Sequence, residues 1–300
     1  MAEQGTEADA SAISSHTTLC GVLLHPADHT RSPAMHNAAF HALGLDAAYL
    51  AFDVAPRDLA DAILGARALG VRQLAISIPH KIDVMAHLDG VDDVARRIGA
   101  VNTVTRSGRR LFGANTDWIG ALRALERGGD LAGLDGARAV VLGAGGAARS
   151  VVFGLCQRGA RVTILNRTRS RADELCRSLE AETSGDLTEL CDIDYDILVN
   201  TTRVGLREDA SPVPARALRA GTIVLDAVYD PPETRLLRDA AARGAQTIGG
   251  KWWLVHQAAE QLRLWSRRAA PIDVMARAFD DVAEGSSGES SAAVNPETDL

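Results

Sequence analysis

Apolar residues along this 300-residue chain recur in two alternating rhythms. "TLCGVLL" (18–24) is a nearly continuous apolar run of strand length. "SPAMHNAAFHALG" (32–44) then spaces its apolar residues three and four apart, as one face of a helix requires. Ser32 is predicted to cap that helix, with Pro33 in its first turn and Gly44 ending it. "AAYLAFDV" (47–54) alternates as a strand, "PRDLADAILGARALG" (56–70) returns to helical spacing, and "RQLAISI" (72–78) is again a strand. Strands separated by helices predict parallel pairing with helices covering the sheet faces.

"GAVNTVTRSGRRLFGANTD" (99–117) reads as a short hairpin turning at Ser107 and Gly108, and "WIGALRALERG" (118–128) starts a helix. A second α/β unit follows in "ARAVVLGAGGAARSVVFGLCQRGARVTILNRT" (137–168), continued by strands in "YDILVNTT" and "GTIVLDAVY". Two helical stretches, "WWLVHQAAEQLRLWSRR" and "IDVMARAFDDVAE", close the chain without a strand of their own to cover. They are expected to pack back on the first unit. The predicted fold is therefore two α/β domains flanking a cleft, the second a Rossmann-type dinucleotide-binding domain. The first domain spans 18–117 and is completed by helices within 251–284, and the second spans 118–250. The polar ends, 1–17 and 285–300, are expected to be disordered.

Composition narrows the partners. The net charge of −7, from 32 basic and 39 acidic residues spread along the chain, argues against nucleic acid or an anionic membrane as the main partner. No apolar run reaches the ~18 residues of a membrane span, and no basic, apolar-cored leader opens the sequence. A cytoplasmic protein, monomeric or a homodimer, is expected. Cys20, Cys156, Cys176 and Cys191 are far apart and form no C-x-x-C pair, so they read as reduced, buried thiols. The eight histidines show no metal spacing; His80 and His256 lie near the polar segments but receive no catalytic role, and no metal is expected.

The strongest local signal is a glycine turn. Gly143, Gly145 and Ala148 fit G-x-G-x-x-G/A, placed directly after a strand and directly before a helix. That context sets a pyrophosphate against free N–H groups at a helix start. At the end of the next strand, 166 − 143 = 23 positions on, an acid would hold the ribose 2′-hydroxyl of NAD; the sequence has Asn166 there, then Arg167, Thr168 and Arg171. A carboxylate would repel a 2′-phosphate, whereas two guanidinium forks suit its oxygens, and charges ~4 Å apart are worth roughly 4 kcal/mol at a surface-like dielectric. NADP is the predicted cofactor. Thr168 is also placed to cap the following helix.

Polar residues in the first unit gather where strands end, the ligand-binding edge of open α/β sheets. Thr30 and Ser32 are placed to offer hydroxyls to a carboxylate, or Ser32 merely caps its helix. Lys81, just past the strand bearing Ser77, is either a proton donor or a solvated charge. Asn102 lies upstream of Asn115, Thr116 and Asp117 at the passage between units, and Asp117 faces the cleft or caps the helix at Trp118.

Together, "TRSPAMHN", "SIPHK", "IGAVNT", "GANTD", "LGAGGAARS", "NRTRSR", "NTTRVG", "DAVY" and "LVHQ" resemble the shikimate dehydrogenase family from about Gly21 to Ala283. The resemblance implies reversible reduction of 3-dehydroshikimate to shikimate by NADPH, a step towards chorismate and the aromatic amino acids. It implies that Thr30, Ser32 and Tyr229 hold the substrate carboxylate, that Ser77, Asn102, Asp117 and Gln257 bind ring hydroxyls, and that Lys81 with Asp117 is the catalytic pair. On the cofactor side it implies Gly143, Ala144, Gly145, Gly146, Ala147, Asn166, Arg167, Thr168, Arg171, Ala227 and Gly250. Departures from the family pattern at Thr30, Ser77, Ala75, Ala114 and Ala227 are expected to reshape the pocket, and Lys251, Trp252 and Trp253 to approach the nicotinamide. Quinate or aminoshikimate as substrate, and a non-catalytic NADP(H) sensor, are the alternatives.

Overall fold

The computed structural model describes residues 13–28, 30–129 and 133–288. In the first unit, β1 (Thr18–Leu24), α1 (Ser32–Ala42), β2 (Ala47–Asp53), α2 (Leu59–Ala68) and β3 (Gln73–Ile76) alternate as the periodicity predicts. They are followed by β4 (Gly90–Val91), α3 (Asp93–Ile98), β5 (Thr103–Ser107) and β6 (Arg110–Ala114). The sheet order is β2-β1-β3-β5-β6-β4. β1 pairs in parallel with β2 and β3, whereas the hairpin β5–β6 runs antiparallel and joins β3, so the sheet is mixed.

The second unit comprises α4 (Asp117–Gly128), β7 (Arg138–Leu142), α5 (Gly146–Gln157), β8 (Arg161–Leu165), α6 (Arg169–Leu179), β9 (Thr183–Gly185), β10 (Ile197–Asn200), β11 (Ile223–Asp226), α7 (Arg235–Ala242) and β12 (Gln246–Ile248). Its strands are all parallel, in the order β12-β11-β10-β7-β8-β9. This is the doubly wound Rossmann arrangement, in which the chain reverses between β7 and β10 and opens a crevice at their carboxyl ends. The central strands β7, β8, β10 and β11 are buried on both faces, which explains runs such as "ILVN" and "IVLD" without alternation.

Two final helices, α8 (Gly250–Ser266) and α9 (Ile272–Gly288), pack on the first sheet. Alternate β1 residues Cys20, Val22 and Leu24 meet Met35, Ala39 and Phe40 of α1, Val255, Ala258 and Leu262 of α8, and Met275 and Phe279 of α9. Met275 and Phe279 are 0% and 2% exposed, burial worth about 1.5–3 kcal/mol each. On the opposite face Leu23, Leu74 and Ile76 pack against Leu59 and Ile63 of α2. Trp253, near the start of α8, belongs instead to the core of the second unit, so one helix is anchored in both.

Several local expectations change. The N-cap position of α1 is Arg31, and Ser32 is already helical, so its hydroxyl is not used as the cap. Thr168 occupies the N-cap position of α6 without a side-chain bond. Only Cys20 of the four free cysteines is buried, and burial pushes its thiol up to about 12. α9 extends to Gly288, past the end at 284 read from the sequence, and the ends at 1–12 and 289–300 lie outside the described residues.

Candidate active site

Between the two units lies a cavity of about 390 Å³ whose walls come from both. The first unit contributes Ser77 and Lys81, the start of α4 Asp117, the rest of the second unit Gly145, Gly146, Ala147, Ala227 and Tyr229, and α8 Gly250, Trp253 and Gln257. Eleven of the residues singled out in the sequence therefore converge on one space.

At its centre Lys81 Nζ donates to Asp117 Oδ2 at 2.5 Å, with side chains 16% and 7% exposed. Asp117 begins α4, and its carboxylate is turned to Lys81 instead of capping the helix. Its backbone is fixed too, because Asp117 N donates to Asn115 Oδ1 at 3.0 Å and Asn115 is tied to Ala100 O and Ser150 Oγ.

Asn102 holds the other side of the carboxylate. Its Nδ2 donates to Asp117 Oδ1 at 2.9 Å, Thr116 Oγ1 at 3.0 Å and Gln257 Oε1 at 3.2 Å. Its Oδ1 accepts from Thr116 N at 2.7 Å and from Thr103 Oγ1 at 2.8 Å. At 1% exposure, and with both ends of its amide engaged, Asn102 supports the pair from behind; it does not line the cavity.

Across the cavity stands the glycine turn. Gly143 has φ +113°, a value costly for any residue bearing a Cβ, and Gly145 occupies the N-cap position of α5 without a side-chain bond. A Cβ on Gly146 would stand 2.9 Å from Lys81 Cβ, so the turn and the lysine are in direct contact. Ala148 is fully buried where α5 packs on the sheet. The turn thus brings the open N-terminus of α5, a site suited to anions, beside the ammonium–carboxylate pair.

Thr30 and Ser32 do not line this cavity, whereas Tyr229 does. Burial pushes the Tyr229 phenol up to about 12, against the opposing influences of Arg31 and Thr30, so Tyr229 is a neutral donor. Among the described residues the Ser32 hydroxyl makes no hydrogen bond, although Ser32 is only 6% exposed.

Asn166, Arg167, Thr168 and Arg171 lie apart from this cavity, at the end of β8 and the start of α6. Arg167, Thr168 and Arg171 are exposed, and Asn166 Nδ2 donates to Thr168 O at 2.9 Å. Among the described residues neither Arg167 nor Arg171 is in an ion pair, whereas Arg169 is paired with Glu189 at 2.8 Å. With no acid at the end of β8, the chain fits a dinucleotide with an added phosphate there and its pyrophosphate at Gly145–Gly146.

Some expected contributors are elsewhere. Of the "KWW" residues only Trp253 reaches the cavity; Lys251 pairs with Asp280 at 2.6 Å, and Trp252 lies 3.7 Å beneath the guanidinium of Arg127. Ala75 is buried in the core of the first unit and Ala114 does not line the cavity, so neither departure shapes it directly, in contrast to Ala227. Thr201, Thr202, Arg203 and Leu206, which were not singled out, do line it. Their signal was topological, since they follow β10 at the reversal of strand order, where such crevices form. Among the described residues no group of three His, Cys, Asp or Glu side chains is gathered for a metal.

Residues 22–104 match the shikimate dehydrogenase substrate binding domain, and residues 126–204 match the shikimate / quinate 5-dehydrogenase family. A shikimate dehydrogenase (NADP(+)) of Haloarcula marismortui is 49% identical over 259 residues, 85% of this chain and 96% of that protein.

The chain belongs to the shikimate dehydrogenase family.

The family likeness extends to the fold. The shikimate 5-dehydrogenase of Thermus thermophilus, solved with NADP(H) and shikimate, is 39% identical, with a TM-score of 0.82 over 88% of this chain and 99% of that one. The quinate dehydrogenase of Corynebacterium glutamicum, solved with NAD, is 31% identical, with a TM-score of 0.80 over 88% and 99%. Of these three proteins the two shikimate enzymes are the more similar in sequence, and no helix among the described residues is long and apolar enough to cross a membrane.

Proposed function

We propose that the protein is an NADP-dependent shikimate dehydrogenase that interconverts 3-dehydroshikimate and shikimate. The observation that carries this reading is the Lys81–Asp117 pair, enclosed in the cavity and in contact with the glycine turn. NADPH, when bound, supplies the hydride to the ring ketone carbon. As that C–H bond forms, the carbonyl electron pair moves to oxygen, and a proton held between Lys81 Nζ and Asp117 Oδ2 is passed to the forming alkoxide. Asp117 keeps the ammonium in place, and the amide of Asn102 keeps Asp117 in place.

Thr30, Ser32 and Tyr229 are assigned to the substrate carboxylate. Ser77 and Gln257, both on the cavity wall, are assigned to ring hydroxyls, with Asn102 acting through Asp117 and Gln257. The turn Gly143–Ala147 with Ala227 and Gly250 is assigned to the pyrophosphate and nicotinamide side, and Asn166, Arg167, Thr168 and Arg171 to the 2′-phosphate. The first domain is assigned residues 18–117 with α8 and α9, and the second 118–250. Both walls of the cleft come from one chain, so either a monomer or a homodimer serves this reaction. Four unpaired cysteines support a cytoplasmic location.

The test is direct. Purified protein given NADP and shikimate should develop the near-ultraviolet absorbance of NADPH, and Lys81→Met should lower kcat about 10²- to 10⁴-fold with little change in NADP affinity. Cofactor binding without turnover of shikimate, quinate or aminoshikimate would overturn the assignment and point to a sensor.

A further inference from the structure

Arg31 lies between the two hydroxyl residues assigned to the substrate acid, and its side chain turns inward. It is only 6% exposed. The guanidinium carbon stands 4.4 Å from the ring centroid of Phe279 and 5.8 Å from that of Tyr229. Its nearest carboxylate is Asp230, whose Oδ1 is 4.0 Å from Arg31 Nη2, and the other oxygen of Asp230 is taken by Arg207 Nε at 2.8 Å. Arg207 also holds Asp28 at 2.6 Å. Lys251 and Asp280, which share a side cavity of about 220 Å³ with Arg31, neutralise each other at 2.6 Å. Among the described residues, buried Arg31 Nη1 has no hydrogen-bond partner.

A guanidinium taken out of water and given only part of one distant carboxylate is expensive to bury, and stacking on aromatic rings offsets only some of that. An added anion nearby would complete the compensation. The surface between Arg31 and the main cavity is Tyr229, which lines both the main and the side cavity.

We propose that Arg31 is the positioning residue that makes this enzyme select an anionic substrate. Its guanidinium, behind Tyr229, supplies the positive potential at the carboxylate subsite without itself touching the acid. The proposal rests on the assignment of Thr30, Ser32 and Tyr229 to the substrate carboxylate. Thr30, Ser32 and Tyr229 provide neutral donors and set the geometry, and Arg31 provides the charge.

The experiment compares shikimate with its neutral methyl ester, at saturating NADP, in the wild type, Arg31→Met, Arg31→Lys, Tyr229→Phe and Ser32→Ala. Wild type should prefer the acid in kcat/KM by about tenfold or more. Arg31→Met should raise the KM for the acid about ten- to fiftyfold, the order expected for losing one nearby charge that does not touch the acid, at a surface-like dielectric. The KM for the ester should stay within about twofold, kcat should change little, and Arg31→Lys should restore most of the preference. Equal losses for acid and ester in Arg31→Met would show a merely structural role and overturn the proposal. A wild type that takes acid and ester equally well would overturn it without any variant. If Tyr229→Phe weakens the acid selectively while Arg31→Met does not, the subsite stands and the role of Arg31 falls. If Tyr229→Phe and Ser32→Ala both leave acid binding unchanged, the subsite falls and takes the proposal with it.

Discussion

Asn102→Leu offers the sharpest test of how the catalytic pair is supported. The substitution keeps the approximate size of the side chain and removes all its polar atoms. Thr116 N–H, which donates to Asn102 Oδ1 at 2.7 Å in a site from which water is excluded, is then left unpaired, at about 1–3 kcal/mol. The Asp117 carboxylate loses one of its donors, at about 1.5–3 kcal/mol for a charged acceptor, and Gln257 Oε1 loses a weaker one. The hydroxyls of Thr103 and Thr116 can rotate to other acceptors and add little. The expected loss is therefore about 3–6 kcal/mol, a large share of the 5–15 kcal/mol that keeps a typical domain folded. Urea unfolding with matched m-values measures it, and kcat should fall as well because Asp117 is no longer held against Lys81. Asn102→Asp is the informative companion. It retains an acceptor for Thr116 N but places a second carboxylate about where the amide met Asp117, so the two acids should share a proton and displace the pH–rate profile. A loss below about 1 kcal/mol in Asn102→Leu, with kcat intact, would mean that water replaces the amide and that the network is dispensable.

Two further outcomes are expected. Arg167→Ala should raise the KM for NADP at least about tenfold while leaving that for NAD nearly unchanged, in line with the lost charge pairing; steady-state kinetics with both cofactors decide it, and equal losses would remove the phosphate role. His36, stacked on Tyr49 with centroids 4.1 Å apart, is held at a pKa of about 3 by burial, below its ordinary 6.5. Between those values the unfolded chain binds a proton that the folded one does not, so His36 makes stability fall as pH drops from about 6.5 towards 3, at up to about 1.4 kcal/mol per pH unit. His36→Phe should flatten the dependence of the urea midpoint on pH over that window, and an unchanged slope would refute the assignment.

Much of this arrangement was legible because it is periodic or local. Helical and strand rhythms gave the alternation of both units, and a glycine pattern after a strand gave the dinucleotide turn. The strands β4, β9 and β12 escaped because two or three residues carry no measurable alternation. α3 and α7 left readable but overlooked signals: Asp92 accepts from Ala95 N with Gly99 at the far end, and Thr234 accepts from Leu237 N. What periodicity does not carry is the direction of a side chain once the chain has folded back. Lys251 and Trp252 are adjacent to Trp253 in sequence, yet a helix turns successive residues about 100° apart, so one faces the cavity, one Arg127 and one Asp280. The engagement of Asn102 at both ends likewise depends on α4 and α8 arriving from 14 and 155 residues away.

The position of α8 and α9 after every strand of the second sheet has a consequence for biosynthesis. The strands of the second sheet emerge from the ribosome as one uninterrupted block, whereas the sheet that emerges before them waits for Val255, Leu262, Met275 and Phe279 to cover one of its faces. The part made first is therefore the part completed last. Until α8 and α9 have been made, the part of that face which α1 does not cover is open to other nascent chains and to chaperones.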